Sequence, residues 1–172
     1  PHTRLRPRFE YDINAFRAPG ALAAVADSDC GLCVMHMQRS PETMQQNPEY
    51  TDVVEEVVGF LRERVDAMVA AGIERKRICV DPGFGFGKTV EHNFALLRSI
   101  GKMQQDLRLP VLAGLSRKAM IGAVTGRPLE QRLAGSLAGA LAAVAHGARI
   151  VRVHDVAETV DAFKVWQAAA IH

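Results

Sequence analysis

The chain has 172 residues, of which 48% are hydrophobic and 23% charged. This is core-forming material for one domain and excludes a disordered chain. A net charge of +2 is too small to argue for nucleic acid, and no apolar run approaches the roughly 18 residues of a membrane span.

In chain order, Pro1 to Arg8 holds Arg4, Arg6 and Arg8 with prolines. It reads as disordered, neither strand nor helix, and is not an apolar signal segment. Strands are predicted at Phe9 to Asn14, Gly31 to His36, Arg77 to Asp81, Pro110 to Leu115 and Arg149 to His154. Helices separate them. Val53 to Ala70 spaces Val53, Val57, Phe60, Leu61, Val65, Met68 and Val69 as an amphipathic helix does. Asn93 to Met103 is a second helix. Gln131 to His146 is a third; its Ala and Gly content predicts close packing against a neighbour. Glu158 to Ala170 is the last.

The chemistry sits at strand tips. Ile78-Cys79-Val80 runs into Asp81 to Lys88, DPGFGFGK. Gly83, Gly85 and Gly87 allow a sharp turn and close backbone approach to a ligand, Asp81 offers an acceptor, and Lys88 places a cation beyond the turn. A P-loop needs Gly-x-x-x-x-Gly-Lys-Ser/Thr. Gly87-Lys88-Thr89 matches its end, but Pro82 stands where the opening glycine belongs. A dinucleotide fingerprint fails because Lys88 takes its third glycine. A structural turn capping the next helix remains the bland reading. Ser116, Arg117 and Lys118 follow a second strand, and Arg152, His154 and Asp155 alternate along a third. Arg152 and His154 share one face of that strand, which is costly without an anion or carboxylate partner. A solvated turn and a buried ion pair explain these two groups singly. Three polar tips on consecutive βα units fit one shared site better.

Cys30 and Cys33 form Cys-x-x-Cys. A redox pair belongs at a helix N-terminus, whereas Cys33 and Cys79 fall inside strands. A zinc site would recruit His36 but lacks a fourth ligand. Reduced, buried cytosolic thiols are the favoured reading, with His36 a core or supporting histidine. His92, His146 and His172 have no motif support.

Cys33 to Gln38 (CVMHMQ), Asp81 to Lys88 (DPGFGFGK), Gly114 to Ile121 (GLSRKAMI) and Arg152 to Val156 (RVHDV) occur in one order and spacing. In this they resemble dihydropteroate synthase. The resemblance implies a TIM-barrel (β/α)8 fold, of which residues 9–172 form the C-terminal part. The strands then correspond to the fourth through eighth, without the first three βα units, and residues 1–8 fall outside the family. It implies a transferase of folate biosynthesis. The expected reaction joins 6-hydroxymethyl-7,8-dihydropterin diphosphate to p-aminobenzoate, giving 7,8-dihydropteroate and diphosphate.

By the same resemblance Asp81, Lys118, Met35 and Asp12 contact the pterin. Ser116 and Phe86 contact the aminobenzoate, and Arg152 and His154 hold the diphosphate. Lys118, Arg152 and His154 form the catalytic group, and Arg117 is either part of the site or structural. Mg²⁺ is an implied cofactor whose Asn ligand lies on the missing first strand, so this chain holds no metal ligand. The resemblance also implies a cytoplasmic homodimer. One departure stands out: Tyr11 occupies the place of an expected pterin-contacting Asn. The alternatives are an inactive pterin-binding fragment that needs its N-terminal half, and a pterin-dependent methyltransferase.

Overall fold

The computed structural model describes residues 9–38 and 48–170. Pro1 to Arg8, expected to be disordered, and His172 lie outside the described residues. Five parallel strands are β1 (Phe9–Asp12), β2 (Gly31–Met35), β3 (Ile78–Asp81), β4 (Leu112–Ala113) and β5 (Ile150–Val151). Pairing joins β1 to β2 and β2 to β3, and separately β4 to β5. A bridge from Val80 to Val111 links the two groups, with the Val80 N–H donating to the Pro110 carbonyl. Helices cover one side, so the sheet is an incomplete barrel.

The inner strands β2, β3 and β4 are apolar up to their tips and buried on both faces, as parallel sheets require, whereas the edge strands β1 and β5 are partly exposed. Alternation then separates two layers. Leu32, Val34, Ile78, Val80, Val111 and Ala113 face the helices and enter the main core. Tyr11, Cys33, Cys79 and Leu112 pack together on the inner side. The register sets Tyr11 beside Cys33 and Cys33 beside Cys79, while Met35 lies beside Asp81.

Helix α2 (Val53–Ala70) has the predicted bounds. Asp52 caps it by accepting from the Val54 and Glu55 N–H groups, and Glu55 and Glu56 complement the positive end of its dipole. Val53, Val57, Leu61, Val65 and Met68 are buried as expected; Val58 joins them, whereas Val69 points outward. The predicted single helix at Asn93 to Met103 is two, α3 (Val90–Arg98) and α4 (Ile100–Leu107). They break at Ser99, whose N–H is shared by the Ala95 and Leu96 carbonyls. α6 (Leu133–Ala145) packs closely, as its composition predicted: a Cβ on Gly135 would strike Ile121. α1 (Ala21–Ala26) and α5 (Ala119–Thr125) were not foreseen, being short. α7 (Val156–Ala170) starts earlier than predicted.

The last strand is much shorter than predicted. It ends at Val151, so Arg152 and His154 follow it in the connection to α7 rather than lying within a strand. Both are exposed. The expected cost of burying two cations on one strand face therefore does not arise.

Candidate active site

The glycine-rich turn is built from the inside. Gly83 (φ +71), Gly85 (φ +78) and Gly87 (φ +61) all adopt the left-handed conformation that glycine tolerates without strain. At Gly83 the need is absolute in a second way, because a Cβ would collide with the His36 carbonyl oxygen. The close approach is thus to the protein's own β2 end. Lys88 does not project beyond the turn. It is buried and donates to the Gly83 and Phe86 carbonyls at 3.0 and 2.9 Å, with its Nζ 3.0 Å from His36 Nδ1. Burial brings the Lys88 ammonium down to about 7, against the pull of Asp81. Burial first, and then Lys88, bring His36 down to about 3.

Asn93 completes this scaffold and was missed in the sequence. Its side chain accepts from Gly85 N–H at 2.7 Å and donates to the Thr89 carbonyl at 2.6 Å. His92, without motif support, closes a reciprocal cap with Thr89 at the start of α3. The available signal was local: Thr89 lies three residues before His92 and four before Asn93.

Asp81 is the centre of the site, 1% exposed at the tip of β3. Its Oδ1 accepts from Gly83 N–H and its Oδ2 from the Tyr11 hydroxyl, each at 2.7 Å. Burial raises its pKa, opposed by these two bonds and by Arg152 and Lys118. Arg152 Nη2 lies 4.0 Å from Asp81 Oδ2. Lys118 Nζ sits 4.2 Å from the centre of the Phe86 ring, and burial lowers its pKa. Met35 is fully buried, its sulfur 2.8 Å from the Tyr11 hydroxyl.

Ser116 is buried and holds His154 twice, by 3.2 Å to its N–H and 2.9 Å to Nδ1. Ser116, Lys118, Arg152 and His154 line one cavity of about 240 Å³ with Gly114 and Val153. Arg117 is a strut: it pairs with Asp155, its N–H donates to Ser136, and its backbone has φ +59. This ties the loop after β4 to the loop after β5.

The fold therefore brings together Asp81, Lys118, Ser116, Arg152, His154, Phe86 and Met35. Asp12 is not among them. It alternates with Tyr11 on β1, and its oxygens accept from the Asn14 and Phe16 N–H groups at 2.9 and 2.7 Å. That turn carries Ala15 and Phe16 at positive φ, so the carboxylate stabilises a strained backbone. Among the described residues no group of three or more His, Cys, Asp or Glu side chains is placed to hold a metal. Cys30, Cys33 and Cys79 are free and buried.

Such a cluster, at the C-terminal ends of parallel strands in an incomplete barrel, defines an α/β barrel-type ligand-binding protein. A family model described as "Pterin binding enzyme" matches residues 11–154, and the chain belongs to that family. It is 52% identical over 159 residues to dihydropteroate synthase of Haemophilus influenzae, covering 92% of this chain and 58% of that protein. The crystal structure of dihydropteroate synthase from Stenotrophomonas maltophilia superposes with a TM-score of 0.91 at 49% identity, over 95% of this chain and 62% of that one. The Xanthomonas albilineans dihydropteroate synthase in complex with 7,8-dihydropteroate gives 0.88 at 49%, over 95% and 58%. The resemblance seen in the motifs is thus borne out. The chain spans somewhat over half the length of the curated relatives it matches.

Proposed function

We propose that this chain carries the pterin and aminobenzoate site of a dihydropteroate synthase acting in the cytoplasm. The observation behind this is that Ser116, Lys118, Arg152 and His154 line one cavity, with buried Asp81 4.0 Å from Arg152, so that groups from three strand ends meet. Asp81 accepts from the amino-pyrimidine N–H groups of the pterin, and Lys118 donates to its heteroatoms, with Met35 lining the pocket. Arg152 and His154 neutralise the diphosphate that departs. Ser116 holds His154 in place and contacts the aminobenzoate carboxylate, whose ring packs on Phe86. Breaking the carbon–oxygen bond leaves the bonding pair on diphosphate. The amine nitrogen forms the new C–N bond and then releases its proton. Asp12 stays bonded to its own turn and takes no part.

Methyl transfer by a pterin-dependent enzyme is disfavoured, because such a reaction has no anionic leaving group for Arg152 and His154 to hold. A homodimer is part of the proposal. Its candidate surface is an apolar cavity of about 250 Å³ between α3, α5 and α6, lined by Leu97, Ile121, Val124 and Gly139 among others. The deciding experiment measures diphosphate release from the pterin diphosphate that depends on p-aminobenzoate. It is run on the purified chain, alone and with a separately supplied N-terminal half of a related synthase. Release in either case that vanishes in Arg152→Ala supports the reading; none in both overturns it.

A further inference from the structure

The departure at Tyr11 has a physical result at the centre of the site. Alternation along β1 turns Tyr11 to the inner side, beside Cys33. Its hydroxyl reaches Asp81 Oδ2 at 2.7 Å and Met35 sulfur at 2.8 Å. A phenol has one proton to give, and the carboxylate is the stronger acceptor. The Arg152 guanidinium carbon lies 4.9 Å from the centre of the Tyr11 ring, and Arg152 Nη2 is 3.4 Å from its oxygen. The ring thus lies against the Arg152 guanidinium, with its hydroxyl beside the Asp81 carboxylate. Asp81 Oδ1 is already engaged by Gly83, so both carboxylate oxygens have donors within the chain. The tyrosine proton is held firmly: burial and then Asp81 raise its pKa.

We infer that Tyr11 is an internal occupant of the pterin site, an aromatic ring with a donor that takes the position of a planar amino-pyrimidine. The inference rests on the reading of Asp81 as the pterin acceptor. A planar ligand reaches Asp81 only after Tyr11 has swung aside and its hydroxyl has found another partner. Apparent affinity then falls in proportion to the fraction of molecules with Tyr11 displaced. The arrangement makes Tyr11 the residue that sets which heterocycles enter. A ligand must offer Asp81 more than one phenolic O–H, as paired N–H donors do.

The test is calorimetric titration of 6-hydroxymethylpterin into the unchanged chain, Tyr11→Ala, Tyr11→Phe and the double variant Tyr11→Ala/Asp81→Ala, with circular dichroism to establish that each is folded. Tyr11→Ala is expected to bind at least about ten-fold more tightly. Tyr11→Phe should gain less, since it frees the carboxylate but keeps the ring, and the double variant should lose the gain. Equal affinity of the unchanged chain and Tyr11→Ala overturns the inference while leaving the pterin reading standing. Failure of every form to bind overturns both. If Tyr11→Ala does not fold, the unchanged chain labelled with 3-fluorotyrosine decides. Pterin binding must move the fluorine resonance that Tyr11→Phe lacks, and binding that leaves it unmoved overturns the inference.

Discussion

Asp81 and Arg152 lie 4.0 Å apart, yet the proposed reaction gives them different partners. Asp81 is buried and offers oxygens to neutral N–H donors. Arg152, with its side chain 51% exposed, is free to follow an anion. Asp81→Ala leaves the ligand donors unpaired and should weaken pterin alcohol and pterin diphosphate alike, by about 1–3 kcal/mol. Arg152→Ala should weaken the diphosphate and spare the alcohol. Calorimetry with both ligands reads the two ratios; equal ratios would refute the division of roles. Residue types at the strand tips were legible in the sequence because DPGFGFGK, SRK and RVHDV each follow an apolar run. Orientation was not. Asp12 and Tyr11 are neighbours, and only the strand register shows that Tyr11 faces Asp81 while Asp12 bonds its own turn. The inward turn of Lys88 was equally hidden, since its partners are carbonyls that every residue carries.

At the scale of elements, the turn from β3 to α3 is locked to the end of β2. Gly83→Ala should cost about 1–3 kcal/mol from its left-handed backbone alone, and more from the collision with the His36 carbonyl. Urea unfolding should show a lower midpoint at unchanged slope; an unchanged midpoint would deny the close approach. The same lock carries a pH dependence. Folded His36 titrates near 3 and Lys88 near 7, against ordinary values of 6.5 and 10.5. Between those limits the unfolded chain binds a proton that the folded chain does not, so stability rises with pH through both windows. Asp81, raised by burial, works in the opposite sense at acid pH. Lys88→Met should flatten the rise between about pH 7 and 10, read as urea midpoints across that range. A rise of the same steepness in Lys88→Met would assign it to other groups. Helix α2 was legible to its bounds because its apolar spacing, Asp52 cap and acidic first turn all agree. The break at Ser99 and the short fifth strand were not. They depend on packing partners far along the chain, as at Gly101, where a Cβ would sit 3.1 Å from the His146 carbonyl oxygen at the end of α6.

At the scale of the whole molecule, an incomplete barrel has apolar surface in two separate places. Among the described residues β1 and β5 each pair along one side only. Beside them Phe9, Leu112, Ile150, Val156, Val160 and Phe163 line an open cavity of about 470 Å³. On the helical side, the groove of α3, α5 and α6 carries Val124, 63% exposed. Both surfaces favour association, through burial of apolar area and through unpaired strand edges. They differ in what they predict. If the proposed homodimer uses the helical groove, Val124→Glu should convert it to monomer in light scattering at micromolar concentration, while Val160→Glu leaves it paired. If the open side of the barrel drives association, Val160→Glu should do so instead. That species should also dissociate when a separately supplied N-terminal half of a related synthase is added, because the added strands cover the same face. A monomer in the unchanged chain at those concentrations would show that neither surface drives pairing.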